Sequence, residues 1–267
     1  MTNVLALLML GFVLGIRHAT DPDHVIAVTT IVTRERTPLA ATAIGAAWGV
    51  GHTLTILVVG GGIIVFGWVI PPRLGLSMEF SVGLMLIVLG IATLMREARR
   101  ISTVKSTGDA ENAHVHPHVH GDYVHTHGHS HHPETHPHDA EHTPLGWMDR
   151  TLGGFRSYRH VRPLVVGIVH GLAGSAAVAL LVLATIRSPG WALAYLLVFG
   201  VGTIVGMMIM TTMIVFPFTR KGSRFDVLGD RLRITSGVVS VGFGIFVAYR
   251  IGIVAGLLTS HPHWVPQ

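Results

Sequence analysis

Cysteine is absent from all 267 residues, so no disulfide, thiolate metal site or cysteine nucleophile is available, and a bound metal can meet only nitrogen and oxygen. Charge is scarce too. Asp, Glu, Lys and Arg make up 12% of the chain, against about 25% in an ordinary globular protein. They are sparse from Asn3 to Arg96 and from Pro163 to Leu258, and most of the polar residues lie between Glu97 and Arg162. A soluble enzyme with one water-facing surface is thereby excluded. The first apolar run lacks a basic region before it and a small-residue cleavage site after it, so no removable signal peptide is expected. No Gly-Lys-Ser/Thr phosphate loop occurs. The two lysines, Lys105 and Lys221, stand in other contexts, which argues against ATP-driven transport within this chain. His-Glu-x-x-His is missing and carboxylates are too few for a di-iron site, so an intramembrane enzyme is not expected.

Long apolar runs are what the chain does have. Six exceed or approach the roughly 20 residues that cross a bilayer as a helix: Asn3 to Thr33, Leu39 to Ile70, Met78 to Met95, Pro163 to Ile186, Trp191 to Phe218 and Ile234 to Leu258. A barrel strand would need only about ten. The expected fold is an all-α polytopic membrane protein in four parts: a first three-helix repeat over 1–96, a histidine-rich loop over 97–162, a second three-helix repeat over 163–258 and a short tail over 259–267. With six spans, 15 of the 19 basic residues fall on one side of the membrane. The positive-inside tendency makes that side cytoplasmic, with the central loop inside and both termini outside the plasma membrane. The net charge of +5 does not mark a nucleic-acid binder, because the basic residues sit at the ends of apolar segments and form no continuous face.

The halves resemble each other at an offset of about 150 residues. GIRHATDPDHVIAV from Gly15 lies on GIVHGLAGSAAVAL from Gly167, which puts His18 on His170; GVGHT from Gly49 lies on GVGTI from Gly200, which puts His52 on Thr203. Three spans per half give the repeats opposite orientations, an arrangement that places transporter sites near the midplane. Glycine is abundant, 32 residues in all. Pairs at spacing four (Gly11/Gly15, Gly45/Gly49, Gly167/Gly171, Gly202/Gly206, Gly252/Gly256) allow close helix approach in lipid and say nothing of substrate.

The chemistry concentrates in Arg17-His18-Ala19-Thr20-Asp21-Pro22-Asp23-His24, halfway through the first apolar run. Ionisable groups at that depth cost about 2.5–3.5 kcal/mol each on insertion scales, so five within eight residues demand a use. Pro22 cannot donate a backbone hydrogen bond and clashes with the preceding turn, so the helix should break there, with Asp21 placed to cap the next one. Imidazole and carboxylate suit divalent transition metals. On an unbroken helix His18, Asp21 and His24 would form one stripe; with a break, His18, Asp23 and His24 are the expected ligands and Asp21 a cap or auxiliary oxygen. His52, at a similar depth in the second span, is a candidate fourth ligand. His170 lines the exit or completes the site, and Ser175 is the weakest candidate. The plainer alternative pairs Arg17 with Asp21 or Asp23 and leaves the histidines merely hydrogen-bonded.

RHATDPDH carries His-x4-Asp-His as His18, Asp23 and His24, and Gly51-His52-Thr53 supplies a glycine-histidine motif in the next span. In these the sequence resembles the nickel/cobalt transporter family. The resemblance implies membrane permeation of Ni²⁺ or Co²⁺ as substrate, with no resident cofactor and the signature residues as selectivity site. The expected partners are the divalent ion, the lipid bilayer and a cytoplasmic metallochaperone. Twelve histidines lie between His114 and His142. Such a tract cannot bury a core and is expected to be disordered without ligand, binding metal flexibly. Uptake into the cytoplasm is the leading reading, and efflux coupled to protons the first alternative. Transport of another solute, with the cluster carrying protons, is a further one.

Overall fold

The computed structural model of the protein describes residues 2–33, 35, 37–68, 70–107, 114–120, 123–129, 158–171, 186, 188–219, 223–259 and 262. The first apolar run forms two helices, α1 (Thr2–His18) and α2 (Pro22–Val32), meeting at a bend of 56°. Pro22 occupies the start of α2, where a missing N–H does no harm. Asp21 has the extended backbone of a cap residue, but its side chain makes no capping hydrogen bond. The capping role expected for Asp21 is therefore corrected. Its carbonyl accepts the Val25 N–H to start the helix, and its carboxylate turns to His18.

Helix α3 (Pro38–Phe66) opens with Thr37, whose hydroxyl accepts the Ala40 N–H, and closes on Gly67 at φ 64°, a left-handed conformation that suits glycine. Helix α4 (Pro72–Thr107) has 36 residues, about 54 Å, so it continues well beyond a bilayer crossing. Then come α5 (Tyr158–His170), α6 (Pro189–Val215), a 3₁₀ turn (Phe216–Thr219), α7 (Ser223–Tyr249) and a π turn (Arg250–Val254). Helices α3, α4, α6 and α7 are long and apolar enough to cross a membrane, and α1 with α2 makes a fifth span if the bent pair counts as one. The sixth expected span, Pro163 to Ile186, begins within α5; residues 172–185, Ser175 among them, lie outside the described residues.

Two details depart from expectation. Helix α5 starts at Tyr158 and carries Pro163 inside it, because hydropathy marks only the apolar part of a helix and passes over polar turns such as 158–162. In the histidine-rich tract, where composition predicts disorder, the backbone pairs as an antiparallel hairpin of β1 (His114–His120) and β2 (Tyr123–His129). Alternation of histidine with Val or Thr is a period-two pattern that a strand accommodates. The register sets His114 opposite His129, His116 opposite His127 and His118 opposite His125.

At the centre α3 packs against α6; α1 lies on α6, α5 on α3, and α4 on α7. These contacts come in pairs that exchange under the offset laying Gly15 on Gly167. Gly15 of α1 abuts the Phe199 carbonyl of α6, and Gly167 of α5 abuts the Trp48 carbonyl of α3. In the return direction Gly202 meets the Phe12 carbonyl and Gly51 the Leu164 carbonyl. A Cβ at any of these four would collide with backbone. The α4–α7 pair repeats the pattern, with Gly83 facing Gly244, Gly90 facing Gly237, and the Ser240 hydroxyl donating to the Leu86 carbonyl between them at 2.7 Å.

Outward faces are apolar. On α3 Val50, Leu54, Val58 and Val65 are exposed, as are Leu197, Val201 and Met213 on α6. Less than half of each spanning window is buried inside the molecule, so the remaining apolar surface is the surface lipid would cover. Where α4 runs beyond its apolar part, buried Glu97 accepts from Arg100 Nε at 3.0 Å and pairs with Arg233, whose Nε lies 2.8 Å away. Asp230 pairs with the same two guanidiniums. The four charges fasten α4 to α7.

Candidate metal centre

The bend brings six polar side chains together at the middle of the molecule. His18 ends α1, 16 residues or about 24 Å from Thr2, and α2 starts with Asp23 and His24 in its first turn. His52 stands about 21 Å into α3 and His170 about 18 Å into α5. The earlier start of α5 puts His170 deeper than a boundary at Pro163 implies. All four imidazoles are at most 5% exposed.

Each aspartate is aimed at imidazole. Asp21 Oδ2 accepts from His18 Nδ1 at 2.9 Å, which leaves His18 Nε2 to face His52 Nε2 at 2.8 Å. The two ring nitrogens share a hydrogen bond and point at one small volume; around a common cation about 2.1 Å from each they would open slightly, to about 3.0–3.4 Å. Asp23 uses both oxygens: Oδ1 lies 3.2 Å from His24 Nδ1 and Oδ2 lies 3.1 Å from His170 Nε2. Carboxylates on the far nitrogens of metal-binding histidines hold the rings in orientation and raise their basicity. Two imidazole nitrogens are short of partners: His24 Nε2 and His52 Nδ1, the latter on the side of its ring away from His18, are buried with no hydrogen bond among the described residues. A buried imidazole nitrogen without a partner costs free energy unless a ligand takes its lone pair. Among the described residues Arg17 pairs with neither aspartate, while the histidines are hydrogen-bonded. The aspartates serve histidines, and Arg17 is exposed at the surface.

The donors fall into two groups, each with ligand atoms within 4.8 Å of one another: His18, His24 and His52, and Asp23, His24 and His170. His24 belongs to both, with ring centroids 4.6 Å from His18, 4.9 Å from His52 and 4.3 Å from His170. The geometry gathers His18, Asp21, Asp23, His24, His52 and His170, while Ser175 lies outside the described residues; Asp23 groups with His170 and His52 with His18. Thr203, the counterpart of His52, turns its hydroxyl back to the Phe199 carbonyl of its own helix at 3.1 Å.

Two residues of the centre were not singled out by sequence reasoning. Phe199 stands against His18 with ring centroids 5.6 Å apart, and Trp48 against His170 at 5.5 Å. They are counterparts, each preceding the first glycine of the aligned GVGHT and GVGTI segments. That alignment is the signal that could have found them. They wall the centre on opposite sides, where apolar rings exclude water and strengthen interactions with a cation.

No solved structure matches this chain. A Bacillus sp. (strain TB-90) protein described as urease accessory protein UreH is 36% identical over 255 residues, 96% of either chain. The family model described as high-affinity nickel-transport protein matches residues 4–258. Its description is of transport across a membrane rather than of catalysis, in keeping with apolar helices around a buried donor cluster. A match that runs from the first helix to the turn after the last admits one conclusion: the chain belongs to the family of high-affinity nickel-transport proteins.

Proposed function

We propose that the protein is a secondary permease that carries Ni²⁺, and Co²⁺ by the same ligands, into the cytoplasm. The observation that carries this reading is the cluster of four buried histidines and two partly buried aspartates at a helix break between the two halves. Nitrogen-rich donors of this kind bind both ions and disfavour Mg²⁺ and Ca²⁺, which prefer oxygen. A doubly charged ion moving inward gains about 4.6 kcal/mol per 100 mV of inside-negative potential, twice the single-charge value. No nucleotide is needed. Direction is further supported by the similar Bacillus protein, whose name ties it to an enzyme, since metal serves an enzyme only when delivered to it. The basic residues favour a cytoplasmic loop between the halves. The reciprocal glycine contacts support halves of opposite orientation around the centre.

The test is flux of radioactive nickel in vesicles with clamped potential. Uptake should rise as the interior is made negative and stop in His24→Ala, with cobalt competing and magnesium not. Efflux from loaded vesicles driven by external acid, with no uptake under inside-negative potential, would reverse the assigned direction.

A further inference from the structure

The two donor groups do not merge into one shell. A first-row divalent ion about 2.1 Å from each donor spans at most about 4.2 Å between opposite ligands, and His18 shares no 4.8 Å group with His170. Only His24 sits in both. Its Nε2 is buried and free of hydrogen bonds, while its Nδ1 faces the aspartate whose second oxygen reaches His170. A neutral imidazole has one lone pair, so it coordinates one cation at a time.

The arrangement of the rest of the molecule gives the split a meaning. His18 and His170 are counterparts, each at the inner end of its helix and each against an aromatic counterpart, Phe199 or Trp48. On the reading of two halves of opposite orientation, α1 and α5 enter from opposite faces of the membrane. Each triad therefore contains the terminal histidine of a helix coming from a different side.

We propose that the centre holds two cation positions occupied in turn: one formed by His18, His24 and His52, the other by Asp23, His24 and His170, with His24 passing the ion between them. The first is entered from the side of α1 and the second from the side of α5. This rests on the reading of the protein as a nickel permease. It adds that the two triads are successive stations on one path, with one shell of three imidazoles and one of two imidazoles and a carboxylate.

The test uses full-length protein in lipid nanodiscs and Ni²⁺ alone, with binding measured by calorimetric titration and ligand identity by X-ray absorption. The variants are His18→Gln and His170→Gln, each compared with wild type for size-exclusion profile and thermal unfolding. Both should still bind nickel, and their shells should differ: imidazole only in His170→Gln, imidazole with carboxylate in His18→Gln. Transport should fall by about 100-fold or more in both, beyond the 10- to 100-fold typical of losing an outer-shell partner. A wild-type shell of four imidazoles, reduced by one in either variant, would replace two stations by a single cage and overturn the proposal. Variants that retain transport near the wild-type rate would overturn it as well. Wild type that binds no nickel would instead remove the functional reading beneath it. Should a Gln variant not fold, His18→Asn or His170→Asn serves in its place.

Discussion

At the scale of single residues, Asp21 and Asp23 are chemically alike and their partners separate their roles. Among the described residues the Asp21 carboxylate pairs with His18 alone, and its value is to hold that ring with Nε2 toward His52. Asn at this position keeps the size and removes the charge. Asp21→Asn should therefore weaken nickel binding by about 10- to 100-fold, the usual effect of losing an outer carboxylate; a loss below tenfold in calorimetric titration would deny it the orienting role. Asp23 has no oxygen to spare, since one faces His24 and the other His170. That His18 and His24 would meet in one buried cluster was legible because no packing argument explains so many ionisable groups in an apolar run. The partnership of Asp23 with His170 was not, because it joins residues far apart in the chain and depends on how α5 seats against α3.

At the scale of helices, backbone contact without intervening side chains fixes which helices meet. Gly15 faces the Phe199 carbonyl, so a larger residue must push α1 off α6. Gly15→Val should lower stability by about 1–3 kcal/mol, as overpacking does, whereas Val13→Leu on the exposed side of the same helix should stay within about 0.5 kcal/mol. Thermal unfolding in detergent distinguishes them. Glu97 is buried between two guanidiniums that Asp230 also faces, so Glu97→Gln removes one of their two carboxylate partners. The expected loss is about 1–3 kcal/mol, read from the same unfolding curves. A loss under about 0.5 kcal/mol would mean that Asp230 alone holds both guanidiniums. The bend at Pro22 was plain in the sequence because proline removes a hydrogen bond wherever it stands. The start of α5 was hidden because its first turns are polar, and the hairpin because histidine-rich composition masked a period-two alternation.

At the scale of the whole molecule, the buried cluster among the described residues draws its donors from 18–52 and from His170, apart in the chain from the histidine-rich tract. Removing Asn112 to His142 should leave nickel permeation at high metal intact and weaken it at low metal, because a tethered donor tract raises local ion concentration without forming the path. Loss of transport at every concentration, in a protein that still inserts, would make the tract part of the path.

The exchange of contacts between halves reaches further than symmetry of form. Gly15 on Phe199, Gly202 on Phe12, Gly51 on Leu164 and Gly167 on Trp48 all join one half to the other. The buried cluster likewise takes His170 from the second half and its other donors from the first. What holds the halves is thus a subunit interface in all but covalent connection, and the protein is a heterodimer written on one chain. Two genes encoding 1–107 and 158–267, expressed together, should yield partners that copurify and restore nickel uptake, while neither piece alone transports. The peptide linkage would then matter for stoichiometry and timing of assembly, and the recognition would reside in the glycine faces themselves.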